Sequence, residues 1–286
     1  MEQLQKLQDL ITGHKIPIGA WSKDLIDWLQ NNFEWFFDRL TDGMNWLLEG
    51  SVDQLDLVPP LILLAVCIVI AHLIQRNWKI TLFVALGLLL VLNLGLWKGM
   101  VETLVLVLYS TLVSLLIAIP LGIYAARHPR FYQTISPVLD MMQTIPTFVY
   151  LVPTLSLFGL GPVPGLFATV IFAVPAPIRL TYLGISQVPT ALVEAGESFG
   201  CTRWQLLMKV KLPAALPTIM AGVTQCIMLS LSMVVIAALV GAGGLGAPTV
   251  RALAQNNVAL GAEAGLAIVI LAIALDRVMR QRSAKR

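Results

Sequence analysis

Charge is scarce in this 286-residue chain. Asp, Glu, Lys and Arg make up 12% of it, about half the share usual in a soluble domain. Hydrophobic residues make up 57%. Composition alone therefore excludes a soluble globular protein and predicts an all-α polytopic membrane protein. Cysteine is scarce too. Cys67, Cys201 and Cys226 lie far apart, in or beside apolar runs, which excludes a disulfide framework and zinc-ligand spacing and predicts reduced thiols. His14, His72 and His128 are equally scattered and read as surface or interfacial residues rather than ligands. Signatures of catalysis are missing: there is no G-x-x-x-x-G-K-[ST] phosphate loop, nucleophile elbow, H-E-x-x-H or dinucleotide fingerprint. If ATP drives this protein, a separate subunit binds it, so neither cofactor nor metal is expected here and no catalytic residue is assigned. The opening MEQLQKLQDLITG lacks a basic region followed by an apolar run, so no signal peptide is expected.

The present features begin with an acidic tail. Residues 1–56 carry ten carboxylates against four Lys and Arg. Within them, Trp21, Leu25, Trp28, Phe36, Leu40 and Leu47 recur at helical spacing. Too charged to span, the stretch reads as an amphipathic helix in the membrane interface, or as one packed on the protein's own spans. Seven apolar runs near span length follow, at about 57–74, 80–96, 101–126, 135–160, 165–185, 214–240 and 260–275. The fourth is broken by Pro146 and Pro153, the third holds Pro120, and the fifth holds Pro175 and Pro177. Such breaks are tolerated at membrane depth where protein or a water-lined path satisfies the backbone.

Positive charge sets the orientation. Thirteen Lys and Arg, from Arg76 through Arg127 and Arg203 to Arg286, fall at one set of span ends, against Lys98 and Arg251 at the other. The C-terminus and the loop at 188–213 are then cytoplasmic, and with seven spans the N-terminus is outside.

That loop, EAGESFGCTRWQLLMKVKLP from Glu194 to Pro213, is the longest polar interruption in the apolar second half. Thr190 is expected to cap a first short helix, with Glu194 near its positive end. Gly200 stands where a helix stops in a left-handed residue. Thr202 and Gln205 have capping-box spacing for a second short helix, with Lys209 and Lys211 near its negative end. Two readings stay open: a loop resting on headgroups, or a knob that docks in a partner's groove.

The spacing of Glu194-Ala195-Gly196, Gly200 and Val210-x-Leu212-Pro213 resembles the EAA loop of permease subunits of binding-protein-dependent ABC importers. Gly196 stands for the second Ala and Val210 for Ile. The runs Leu139–Pro153 (LDMMQTIPTFVYLVP), Gly184–Pro189 and Leu229–Ala237 resemble the glycine betaine/proline type of that family. The resemblance covers about 101–277 and implies a type I permease fold of about seven transmembrane helices, with residues 57–100 as scaffold spans and 101–286 as the permease transmembrane domain. It implies a multi-pass subunit of the bacterial inner membrane, pairing as a homodimer. The implied partners are two copies of an ATP-binding subunit, which hold ATP and Mg, an extracytoplasmic solute-binding protein and membrane lipid; no nucleic acid is involved. The implied solute is a compatible solute such as glycine betaine, proline betaine, choline or carnitine, taken up for osmoprotection. In this resemblance Glu194, Ala195, Gly196, Gly200, Leu212 and Pro213 form the ATPase-coupling loop.

Few polar groups are available for a translocation path. Asp140, Gln143, Tyr150, Ser230, Ser232 and Met233 are the candidates, although Asp140 also suits a structural place near a helix end and the serines suit helix packing. The glycine-rich 241–246 reads as a tight turn, or as a gate or binding-protein contact. Three alternatives remain. One is a permease of the same architecture for an amino acid such as methionine. The others are an ion-gradient transporter, which needs ionisable residues deep in the spans, and a membrane subunit without a pathway.

Overall fold

A computed structural model describes residues 17–279, and every regular element among them is helical. The expectations placed on 1–16 and on the basic end at 280–286 lie outside the described residues.

The first helix, α1 (Ile18–Asp56), is 39 residues long and meets α2 (Pro60–Gln75) at 104°. It is therefore laid across the following helix rather than in line with it. Its inner face packs on the helices Trp97–Arg127, Leu151–Phe158 and Pro162–Ala173, with Leu48 buried, Ser51 Oγ 2.9 Å from Tyr109 Oη, and Phe37 edge-on to Phe158. Trp21, Trp28, Trp35 and Trp46 recur seven and eleven residues apart, so they share the opposite face, and all four are exposed. The two readings of this helix are thus compatible. One side rests on the protein's own helices, and an aromatic ridge of the kind found at membrane interfaces points away from them.

The pair α2 and α3 (Trp78–Asn93) is joined by a left-handed Arg76 and an Asn77 side chain that caps α3 through the Lys79 N–H. His72 Nδ1 lies 3.0 Å from Thr81 Oγ1 across the pair. α4 (Trp97–Arg127) runs 31 residues despite Pro120. It packs with α7 (Pro162–Ala173), α8 (Pro175–Ser186) and α11 (Leu212–Ala237) to form the centre of the molecule. Lipid offers no hydrophobic drive for this, so close packing must supply it. Small residues sit at the crossings: Gly122 faces Thr181, and Gly222 faces Pro177 and Leu180.

The run predicted as one span at 135–160 is broken. α5 (Pro129–Thr144) ends at Ile145, a 3-10 turn follows (Thr147–Tyr150), and α6 (Leu151–Phe158) leaves at 105° to α5. Pro146 is the cause, because it cannot donate to the helix and pushes Ile145 into extended backbone (φ −63°, ψ 131°). Tyr150 closes the elbow: its hydroxyl donates to Met142 O at 2.6 Å, filling a carbonyl the helix end leaves free. Tyr150→Phe is expected to destabilise the protein by about 1 kcal/mol. The check is the thermal midpoint of the detergent-purified protein, and an unchanged midpoint would mean the bond contributes nothing.

The chain ends with α12 (Gly246–Ala254), a short helix that the periodicity did not predict, and α13 (Val258–Met279). By length and apolarity four described helices can cross a membrane, or six if each bent pair is one crossing. The remaining predicted run, the second at 80–96, is α3, whose 16 residues span about 24 Å, short of the roughly 30 Å hydrocarbon core.

Candidate functional site

Between α8 and α11 the chain leaves the packed helices and builds the hinged loop. α9 (Thr190–Ser198) begins at Pro189, with no side-chain cap. Thr190 is itself the first helical residue, so it does not cap, and Glu194 falls in the middle turn rather than the first. The end of α9 forms as the sequence predicts. Gly200 has φ +75°, its N–H bonds Glu197 O at 2.9 Å, and the Cys201 N–H bonds Gly196 O at 3.1 Å. Those two bonds are the Schellman pair that satisfies the last carbonyls of a helix.

Past the hinge, Thr202 and Gln205 make the predicted capping box, with bonds of 3.3 and 2.8 Å, and start α10 (Arg203–Gln205). The second short helix does not end, however. It widens into a π-helical segment (Leu206–Lys211) and continues into α11, so residues 203–240 are one helix. Pro213 has no N–H to give the carbonyl of Lys209, and the ladder rewinds there rather than stops. Lys209 and Lys211 are therefore not at a helix end, which corrects the prediction. Leu212 and Pro213 form the joint between the π segment and α11.

Gly196 is the contact between the two arms of the loop. It is buried, and a Cβ there would lie 2.7 Å from Leu206 Cδ1 and 3.3 Å from Val210 Cγ2. A larger residue there would ask the tip of the Leu206 side chain to move aside. Ala195 and Glu194 face solvent. Two cavities, of about 360 and 450 Å³, lie between this loop, the end of α4 and the base of α11, lined by Arg127, Arg203, Lys211, Glu194 and Glu197. The loop continues directly into α11, and Leu207 anchors it in a cluster with Ile185, Ala215 and Ile219. At its tip, Phe199 is 89% exposed and Trp204 59%. From the sequence Phe199 reads as part of the apolar side of the first helix, with Ala191, Leu192 and Ala195, whereas it stands just past the end of α9. The same reading leaves out Trp204, though two large aromatics flank the glycine of a polar turn.

The residues considered for a path do not share one surface. Asp140 and Gln143 are exposed on α5, and Asp140 Oδ1 accepts from Arg179 Nη2 of α8 at 2.6 Å. Tyr150 is turned inward at the elbow. Ser230 and Met233 are fully buried: Ser230 accepts from Thr111 Oγ1 at 3.4 Å, and Met233 packs with Tyr150, Leu151, Ala168 and Val240. Ser232 faces outward and bonds back to Met228 O. The serines follow the 3.6-residue period, which sends 230 and 232 to opposite sides. At the other end of α11, the glycine turn is stapled to α4: Gly244 N–H donates to Glu102 Oε2 at 2.7 Å and Leu245 N–H to Thr103 Oγ1 at 2.8 Å.

Comparison with known proteins accords with this geometry. The family of binding-protein-dependent transport system inner membrane components matches residues 118–281. The chain is 47% identical over 265 residues to the glycine betaine/carnitine transport permease protein of Listeria monocytogenes, covering 92% of this chain and 94% of that one. It is 44% identical over 272 residues to the glycine betaine transport system permease protein of Bacillus subtilis, covering 95% and 96%. Among solved structures, the MetNI methionine ABC transporter in inward-facing form superposes with a TM-score of 0.58 at 26% identity, over 65% of this chain and 94% of that one.

Proposed function

The chain belongs to the inner membrane component family of binding-protein-dependent transport systems, and from that membership we propose that it is the permease subunit of an ATP-driven importer for a betaine-type compatible solute. Such a subunit carries no nucleotide site, so work must enter from a cytoplasmic partner. One observation carries the reading: a hinge with an exposed aromatic tip joins α9 to a capped helix that runs unbroken from Arg203 to Val240 into the packed centre. Force applied at α9 would reach α11 through the 203–240 helix. Glu194, Ala195, Gly196 and Gly200 are the docking segment, and Leu212 and Pro213 the joint that passes its motion on. ATP and Mg belong to the ATPase subunit, of which two copies act on a homodimer of this chain. The opposite face, with the stapled glycine turn, receives the solute-binding protein. In this reading the docking loop and C-terminus are cytoplasmic, α1 lies on the outer face, and the broken α5–α6 pair borders the solute path. Alternating access is then a rigid-body change biased by nucleotide.

Solute class rests on the weight of likeness. The betaine and carnitine permeases match at 44–47% over nearly the whole chain, against 26% over two thirds for the methionine transporter. Osmoprotection is the physiology that accompanies such a solute. The test is reconstitution of the chain with its cognate ATPase and binding protein in ATP-loaded proteoliposomes. Radiolabelled glycine betaine is expected to accumulate and methionine is not; accumulation of methionine alone would replace this reading with the other. Glu194→Lys reverses charge on the docking face without touching any buried group. It is expected to cut ATP-dependent uptake severalfold while membrane insertion stays normal, and uptake at the wild-type rate would remove Glu194 from the docking segment.

A further inference from the structure

Among the described residues one ion pair joins α5 to α8, and nothing in the docking of an ATPase requires it. Arg179 is the sole charged residue of 162–186, and Asp140 is the sole carboxylate of 129–158. They meet at 2.6 Å, Nη2 to Oδ1. Arg179 stands seven residues before the end of α8, about 10 Å along the axis. The pair is only partly shielded, and an ion pair so exposed contributes little to holding α5 on α8. Packing alone therefore gives no account of why the pair is there.

The pair is also incompletely used. Arg179 has five N–H donors, and among them Nε is buried with no hydrogen-bond partner in the described residues. The Asp140 side chain is 59% exposed, open to whatever passes along α5. One end thus offers spare donors for an anion and the other a spare carboxylate oxygen for a cation. One turn beyond Arg179, Tyr182 stacks on Tyr132 of α5 at 3.5 Å and 7°, which places aromatic rings beside the charges on the side toward the hinged loop.

We infer that Arg179 and Asp140 form a transient subsite for a zwitterion on the translocation path. The solute's carboxylate takes the spare donors of Arg179, and its quaternary ammonium lies against Asp140, with the tyrosines as an aromatic wall. The pair opens to admit the solute and closes behind it, so neither charge is left unpaired. An obligate cation without a carboxylate would complete only half of this exchange. The inference rests on the reading of the solute as a carboxylate-bearing quaternary ammonium compound.

The measurement is glycine betaine accumulated per ATP hydrolysed, both read in the same proteoliposomes with ATPase and binding protein present. The double variant Asp140→Asn with Arg179→Gln can keep a neutral hydrogen bond between α5 and α8. It is expected to lower that ratio about tenfold or more, the size of a lost charged hydrogen bond. Arg179→Lys keeps the charge but loses the planar fork, and should give an intermediate ratio. If the double variant does not assemble, Arg179→Lys decides alone. An unchanged ratio, even where total hydrolysis falls, means the pair is only a clasp between helices and overturns the inference. A wild-type assembly that hydrolyses ATP yet accumulates no betaine overturns the functional reading and this inference with it; a wild type that does accumulate it, with the variants unchanged, overturns the inference alone.

Discussion

Gly200→Pro is expected to abolish ATP-dependent uptake while the protein still inserts and folds in the membrane. Gly200 holds φ +75°, where proline, locked near −65°, cannot follow. Its N–H also makes the bond to Glu197 O that ends α9, and proline has none to give. Each loss alone is substantial, and together they cost about 3 kcal/mol or more, over a hundredfold in any equilibrium between formed and unformed hinge. Sterics are not the reason. A Cβ at this position would touch nothing within 4 Å, so Gly200→Ala meets only the left-handed penalty of about 1–2 kcal/mol and should keep part of the activity. The series Gly, Ala, Pro therefore grades hinge geometry with no change in packing. Insertion is spared because the hinge lies outside every apolar run. Wild-type uptake and ATPase stimulation in Gly200→Pro would sink the coupling role of this loop.

The second large effect concerns Phe199. An apolar ring 89% exposed contributes almost nothing to the stability of the lone chain, so Phe199→Ser should leave its thermal midpoint unchanged. Burying that ring in a partner's groove is worth about 1.5–3 kcal/mol, and its removal should weaken retention of the ATPase subunit about tenfold to a hundredfold. Trp204→Ala, 59% exposed on the other side of the hinge, is expected to act in the same direction. Retention is measured by co-purification across a concentration series. A variant that loses thermal stability but keeps its partner would place the ring inside the permease's own packing, against the geometry described above.

Both predictions turn on residues whose local conformation could be read from spacing alone. A glycine two residues past the last turn of a short polar helix, then Thr-x-x-Gln, specifies a Schellman end and a capping box whatever surrounds them. Pro146 likewise announced a break in the fourth run, but not its 105° angle. That angle depends on the Tyr150 hydroxyl reaching back to Met142, a contact across eight residues that no propensity encodes. The expectation of a separate second helix failed for the opposite reason. Pro213 reads as a boundary, yet α11 is already held along its length by α4 and α8, and a few rewound carbonyls cost less than undocking it. Thr190 failed as a cap because Pro189 starts the helix one residue early.

Composition, charge asymmetry and the spacing within 194–213 determined that this is a membrane-embedded subunit with an exposed polar hinge. Those properties follow from transfer energies and from hydrogen bonds a few residues apart, and both are local to the chain. What the tertiary structure decided was which distant groups meet. Arg179 lies thirty-nine residues from Asp140, Gly196 closes on Leu206 across a reversal of direction, and the ridge of Trp21, Trp28 and Trp35 is left outside because the other face of α1 is used. Packing selects such pairs by the shape of the whole interior, and shape is not written in any window of the sequence shorter than the fold itself.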